Sequence, residues 1–358
     1  MTFAKHIPKH ALLTPQLDDV LLRTPDLWEE LRGGRIFLTG GTGFIGCWLL
    51  ETFLHAHDRL DLRARIHVLT RDPGKFTAKA PHLALHPAVT LGQGDVRSFA
   101  FPAGTFSHII HGATDVGVTS TTEQEDTLRQ TITAGTQRVL AFAAACGAHK
   151  MLLLSSGAVY GPQPTDVSHM PEDETAVATP LLTSSAYAEG KREAECLWRE
   201  TDSTAIRTIA RCFAFVGPYL PLDAHFAIGN FISDAMQGGP IIVQGDGTSR
   251  RSYLYAADLA VWLWTILVRG KNGSAYNVGS QEERSIAGVA RSVAAAVVPA
   301  CEVQILEHAK PQQPFRRYVP STARARDELG LTQTVSLEDA IQRTIAWYAD
   351  GALSPSSA

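Results

Sequence analysis

The spacing of apolar positions changes near residue 35. Before it no stretch alternates like a strand, and only Asp26–Arg32 (DLWEELR), ahead of Gly33-Gly34, has the spacing of a short amphipathic helix. From there on short apolar, β-branched runs recur at Arg35–Thr39, Arg65–Thr70, Val89–Leu91, His108–His111, Met151–Ser155 and Thr208–Phe213. Segments with helical periodicity, such as Gly46–His55 and Asp126–Cys146, separate most of them. Strands alternating with helices predict βαβ units and a parallel sheet. Runs apolar on both faces predict strands covered on both sides. After Pro218 the rhythm breaks into short runs punctuated by Pro and Gly, and Leu337–Tyr348 reads as a closing helix. The expected fold class is α/β: a Rossmann-type, doubly wound parallel sheet with a smaller C-terminal α/β substrate-binding region. The expected division is a leader at 1–33, a dinucleotide-binding domain at 34–217 to which 251–280 returns, a substrate region at 218–250 and 281–350, and a tail at 351–358.

Composition narrows the function classes. The 358 residues carry a net charge of −4 and no Lys/Arg run, which argues against a nucleic-acid partner. The apolar stretch Ala260–Val268 is too short for a membrane span and reads as a buried helix. The N-terminus has no apolar signal core, so a cytoplasmic protein is expected. The five cysteines are scattered and form no CxxC pair, which predicts a reducing compartment and no metal site.

The first strand runs directly into Gly40-Gly41-Thr42-Gly43-Phe44-Ile45-Gly46, and a helix follows. Gly40 permits the tight turn, Gly43 lets backbone approach a pyrophosphate, and Gly46 allows close helix–strand packing. Phosphates then meet unpaired amides at a helix N-terminus. At the end of the second strand, where an NAD site places an acid for the ribose, Thr70 precedes Arg71 and Asp72. Arg71 can pair with a 2′-phosphate, which favours NADP over NAD, although Asp72 can still reach back. Asp95, in Gly94-Asp95-Val96, can accept from an adenine amino group or merely cap a turn. Further on, Tyr187 and Lys191 form a YxxxK on one helix face. A lysine ammonium there is expected to lower the tyrosine pKa toward working pH and fit it for proton exchange. Ser155-Ser156, closing the fifth strand, offers a hydroxyl for the same substrate oxygen.

This combination resembles the extended short-chain dehydrogenases/reductases, the nucleotide-sugar epimerases and dehydratases. The matching motifs are TGGTGFIG, Gly94-Asp95-Val96, His111-Gly112-Ala113, Ser155–Gly161 (SSGAVYG), Tyr187 with Lys191, Arg251–Ala260, Gly273–Gly279 (GSAYNVG), Arg317–Gly330 and Leu337–Tyr348. The resemblance implies an NDP-hexose substrate, with Ser156 as the catalytic hydroxyl, Tyr187 as acid/base and Lys191 as its partner. It implies cofactor contacts from Gly40, Thr42, Gly43, Phe44, Ile45 and Gly46, and from Thr70, Arg71, Asp95, Val96, Ala113, Tyr187 and Lys191. Substrate contacts are implied at Asp115, Ser156, Asn230, Arg251 and Arg317. A homodimer through helices near Asp126–Cys146 and Ser185–Glu200 is implied as well.

Three departures matter. The dehydratases of this family carry an Asp-Glu pair after the catalytic hydroxyl, and decarboxylases usually carry a glutamate there. This chain has Gly157-Ala158, which cannot move a proton. Ile132 and Ala214 stand where asparagines are common. The expected function is an NDP-hexose 4-epimerase acting by transient oxidation at C4. The alternatives are an NAD(P)H-dependent 4-ketosugar reductase and a 4,6-dehydratase with its acid elsewhere, Asp115 being one candidate. A non-enzymatic dinucleotide sensor is disfavoured by the intact Ser156, Tyr187 and Lys191. If Arg71 reads a 2′-phosphate, Arg71→Ala weakens NADP binding more than NAD binding. Fluorescence titration with each dinucleotide checks this, and an unchanged ratio removes the role.

Overall fold

A computed structural model describes residues 9–114, 121–173, 185–224, 226–308 and 316–352; the expected substrate contact Asp115 lies outside them. Six strands, β1 (Arg35–Thr39), β2 (Arg65–Thr70), β3 (Val89–Gln93), β4 (His108–His111), β5 (Lys150–Ser156) and β6 (Ile206–Cys212), lie in the spatial order 3-2-1-4-5-6. A later strand, Ala275–Val278, extends the sheet beyond β6, and all seven are parallel. The order reverses between β1 and β4, so a crevice opens beyond their carboxyl ends, where doubly wound sheets bind ligands.

Strand alternation divides the core into two layers. Ile36 and Leu38 of β1, Ile110 of β4 and Leu152 of β5 face one side; Phe37, Ile109, Met151 and Leu153 face the other. The helices are α1 (Thr14–Arg23), α2 (Phe44–Leu60), α3 (Pro73–Lys79), α4 (Pro81–Ala84), α5 (Thr122–Cys146), α6 (Ala186–Glu200), α7 (Ala227–Met236) and α8 (Ala256–Arg269). Helices α1, α2 and α8 cover the first side; α5 and α6 cover the second. Each apolar side chain removed from water there contributes about 1.5–3 kcal/mol. Residue Gly190 of α6 lets α5 come close: a Cβ there would lie 3.1 Å from the Ile132 Cδ1. Ile132, where an asparagine is common, is thus a packing residue between two helices.

Helix α8 is buried along its whole length from Ala256 to Val268, as the apolar stretch predicts. Among the described residues no helix is long and apolar enough to cross a membrane. Helix α2 starts at Phe44, earlier than its periodicity suggests, because Gly43 is the extended N-cap and places Gly46 inside the first turn. The segment before β1 also holds more helix than expected. Besides a short 3-10 turn at Trp28–Leu31 it forms α1, and the left-handed Asp26 (φ 61°) breaks the chain just before that turn.

Buried Asp258 of α8 anchors two distant segments. Its Oδ1 pairs with Arg23 of α1 at 2.6 Å. Its carboxylate also accepts from the Thr334 amide (2.9 Å), the Thr334 hydroxyl (2.7 Å) and the Val335 amide (3.2 Å). Asp258→Ala strands these donors and is expected to cost about 3 kcal/mol, with Asp258→Asn costing less. Urea unfolding measures both; a loss below about 0.5 kcal/mol would refute the anchor.

Candidate active site

The turn from β1 to α2 is built by close contacts. Gly40 has φ 77°, and a Cβ on it would lie 2.6 Å from the Gly112 backbone. A Cβ on Gly46 would lie 2.4 Å from the Gly40 carbonyl oxygen. No side chain caps α2, so the first-turn amides open on the cavity lined by Gly43 to Gly46. Lys79 Nζ donates to the Thr42 carbonyl at 2.9 Å and holds the loop.

A buried hub ties this turn to β4. The Thr136 hydroxyl donates to the Ile132 carbonyl (2.7 Å), so its oxygen accepts from His111 Nε2 (3.1 Å). His111 Nδ1 then accepts from the Thr39 hydroxyl at 2.7 Å. The Thr39 oxygen in turn accepts from the Gly112 and Ala113 amides, each at 3.1 Å. Burial pushes His111 down to about 3, so the ring stays neutral and this pattern persists at ordinary pH. Ala113 is thereby fixed at the cavity wall.

One cavity of about 1580 Å³ runs along the carboxyl ends of the strands. Thr70, Arg71, Asp95 and Val96 line it at one end, Ala113, Ser156, Tyr187 and Lys191 in the middle, and Asn230, Arg251 and Tyr318 elsewhere along its wall. The Asp95 carboxylate is engaged by Arg97 through Nε (2.8 Å) and Nη2 (2.9 Å) and caps the Arg97 amide (2.9 Å). Asp72 caps α3 by accepting from the Lys75 amide at 2.9 Å, which turns its carboxylate to the helix. An open helix N-terminus beside a cleft of this length fits a dinucleotide with its pyrophosphate on α2.

Helix α6 starts at Ser185, whose hydroxyl accepts from the Ala188 amide at 3.2 Å, and one face presents Tyr187, Lys191 and Glu195. The Ser156 hydroxyl accepts from the Ala158 amide at 3.1 Å, and the Tyr187 and Tyr318 phenols both lie near enough to feel it. Lys191 Nζ donates to the Leu154 carbonyl at 2.8 Å and sits 5.8 Å from the Tyr187 ring centre. The expected acidification of Tyr187 is absent: burial pushes the phenol up to about 12, with the Ser156 hydroxyl opposing it. Lys191 points its charge at the carbonyl, and burial lowers it to about 8.

The sequence reading missed a buried network beneath these groups. Glu195 accepts from the Ser155 hydroxyl (2.6 Å) and from Arg211 at Nε (3.0 Å) and Nη2 (2.8 Å). Arg211 Nη1 donates to the Tyr160 hydroxyl (2.8 Å), which donates to Asn277 Oδ1 (2.8 Å). The ends of β5, β6, α6 and the strand Ala275–Val278 are thereby locked together. The available signal was helical spacing, since Glu195 follows Lys191 by one turn.

Strand pairing corrects one expected substrate contact. In the short strands Arg250–Arg251 and Arg317–Tyr318, Arg251 pairs with Tyr318 and Arg250 with Arg317. Alternation turns Arg251 and Tyr318 to the cavity. Arg317 faces away, where its Nε meets Glu283 at 2.6 Å and Arg250 lies 3.6 Å from the same carboxylate. Arg317 is a framework residue, and its neighbour Tyr318 is the cavity residue that sequence reading overlooked. Tyr318 packs against Phe213, ring centres 4.6 Å apart with the planes tilted by 35°.

The parallel sheet, the glycine turn and the gathering of Ser156, Tyr187 and Lys191 at one cavity agree with what the resemblance to the extended short-chain dehydrogenases/reductases implies. The chain belongs to the NAD dependent epimerase/dehydratase family, whose model matches residues 36–279. It is 30% identical over 315 residues to UDP-glucuronic acid decarboxylase 6 of Arabidopsis thaliana, covering 86% of each chain. It is 27% identical to UDP-N-acetyl-alpha-D-glucosaminuronate decarboxylase of Bacillus cytotoxicus, covering 88% of this chain and 97% of that one. The UDP-glucose 4-epimerase of Thermotoga maritima, solved with UDP-glucose, shares the fold with a TM-score of 0.73, at 18% identity over 89% of this chain and 99% of that one. A dTDP-glucose 4,6-dehydratase of Streptomyces venezuelae, solved with NAD, has a TM-score of 0.71, at 24% identity over 88% of this chain and 97% of that one.

The depressed Lys191 has a signed consequence. Below pH 8 both folded and unfolded chains carry the proton, and the buried charge costs stability. Between about 8 and the ordinary lysine value of 10.5 the folded chain releases it first, so this site's contribution to stability rises with pH. Relative to Lys191→Met, the wild type gains stability across that window. Urea unfolding of both proteins near pH 7.5 and pH 10 tests this; an unchanged difference would show an unperturbed lysine.

Proposed function

We propose that this protein is a nucleotide-sugar 4-epimerase that oxidises C4 transiently, turns the ketone and reduces it again. The observation that carries this is the filling of position 157. A Cβ there would lie 2.7 Å from both the Phe213 ring and the Tyr318 hydroxyl. Two aromatic side chains fill the space at 157, where the family's dehydratases hold the first of an acid pair, so neither 157 nor 158 supplies a group for proton removal beyond C4; Asp115, the other candidate acid, lies outside the described residues. The same absence of a glutamate at Gly157-Ala158 weighs against the activity for which the decarboxylase relatives are named.

In this reading the substrate's diphosphate lies toward Arg251 and its sugar against Ser156 and Tyr187. The positive charge of oxidised nicotinamide, when bound, would join Lys191 in opposing the burial of the Tyr187 phenol, so that Tyr187 takes the C4 hydroxyl proton and later returns it while the Ser156 hydroxyl holds the same oxygen. Bound nicotinamide supplies the hydride acceptor and returns the hydride. Lys191, held by the Leu154 carbonyl, keeps positive charge beside the phenol. A reductase of 4-keto sugars is the second reading, favoured by Arg71 at the adenosine end of the cavity and by NADPH as its reductant. A homodimer through the outer faces of α5 and α6 is part of the proposal, and sizing chromatography reads it.

Tyr187→Phe is expected to lower turnover by roughly the 10²–10⁴-fold typical of a lost acid–base group, with dinucleotide affinity unchanged. Retained turnover would sink the mechanism. Incubation with UDP-, dTDP-, GDP- and CDP-hexoses, followed by NMR, is expected to return the C4 epimer with no net use of cofactor. A 4-keto-6-deoxy or decarboxylated product would overturn the assignment, and product formed only with added NADPH would select the reductase.

A further inference from the structure

Three side chains from distant parts of the chain converge at the base of the sheet, at the opposite strand ends from the cavity. Glu30 comes from the turn Trp28–Leu31, His108 opens β4, and His149 directly precedes β5. One ligand atom from each lies within 4.8 Å of the other two. The His108 and His149 rings meet edge to face, centres 5.1 Å apart.

Hydrogen bonds fix how His108 is held. The Ser107 hydroxyl donates to the Arg35 carbonyl at 3.1 Å, so its oxygen accepts from His108 Nδ1 at 2.8 Å. The proton is on Nδ1, and Nε2 carries the lone pair. That Nε2 is buried and has no hydrogen-bond partner among the described residues, while His108 is 0% exposed. A buried acceptor left unpaired is unfavourable and invites a ligand. An imidazole with one nitrogen tied to oxygen and the other bare is what metal-binding histidines present.

We propose that Glu30, His108 and His149 bind a divalent transition-metal ion of the zinc type, which clips the N-terminal segment to the base of the sheet. Glu30 gives Oε1 to Lys150 Nζ at 2.7 Å and keeps Oε2 for the ion. The His149 backbone amide is fixed by the Ser107 carbonyl at 3.1 Å. The Glu30 and His149 side chains face solvent and are able to close. Tetrahedral zinc ligands lie roughly 3.4 Å apart, so closure takes about 1 Å of movement and leaves a fourth position for water.

The test uses the full chain with zinc and cobalt(II). Competition with a chromophoric chelator is expected to give wild type at least tenfold tighter zinc binding than His149→Gln or Glu30→Gln, both exposed substitutions that spare the core. Cobalt is expected to show a visible tetrahedral band in wild type alone, and zinc to raise the wild-type Tm but not the variants'. Equal affinity in all three proteins would overturn the site. So would zinc binding with an unshifted Tm, which marks an ion held on scattered surface histidines.

Discussion

The carboxylate of Glu195 lies in the protein interior with Arg211 beside it, at 2.8 Å and 3.0 Å through two guanidinium nitrogens. Either charge alone in that place would be strongly unfavourable; together, with Ser155, Tyr160 and Asn277 satisfying the remaining bonds, they are tolerated. Arg211 stands on β6, so the pair binds α6 to that strand, and the Ser155 bond to Glu195 sets the distance between β5 and α6. Since Ser156 ends the former and Tyr187 and Lys191 sit on the latter, these three cavity groups inherit their geometry from contacts of Glu195 and Arg211, neither of which lines the cavity. The His111 hub does the same for the other half of the crevice: it is neutral, buried and saturated, and it fixes Ala113 against the Gly40 turn.

Backbone demands account for the cofactor end. The left-handed Gly40 and the crowded Gly46 bring strand, turn and helix closer than side chains permit. This contact leaves the amides of α2 as the wall of a cleft that has room for a dinucleotide.

Much of this was legible in the chain. β1 to β6 stand close to where the short apolar runs put them, and the sheet is parallel because helices fall between them. Gly40, Gly43, Gly46, Ser156, Tyr187 and Lys191 announce themselves because local motifs encode a local shape. What stayed hidden depends on pairing between remote segments. Arg317 reads as a cavity residue until the register of Arg317–Tyr318 with Arg250–Arg251 turns it away. Glu30, His108 and His149 carry no motif, since three separate elements bring them together. The phenol of Tyr187 was expected to be acidified by Lys191, a matter of spacing, but desolvation is a property of the whole cavity and dominates.

Gly157 also bears on how this family changes its chemistry. Its missing side chain and the Phe213–Tyr318 pair are two halves of one solution, each occupying what the other vacates. An acid introduced at 157 finds no room, and trimming either ring first opens a hole where Ser156 is held. A lineage moving from this arrangement to one with an acid must cross a sequence worse than both ends, so the two arrangements are neighbours in fold but separated in sequence space by a valley at least two substitutions wide.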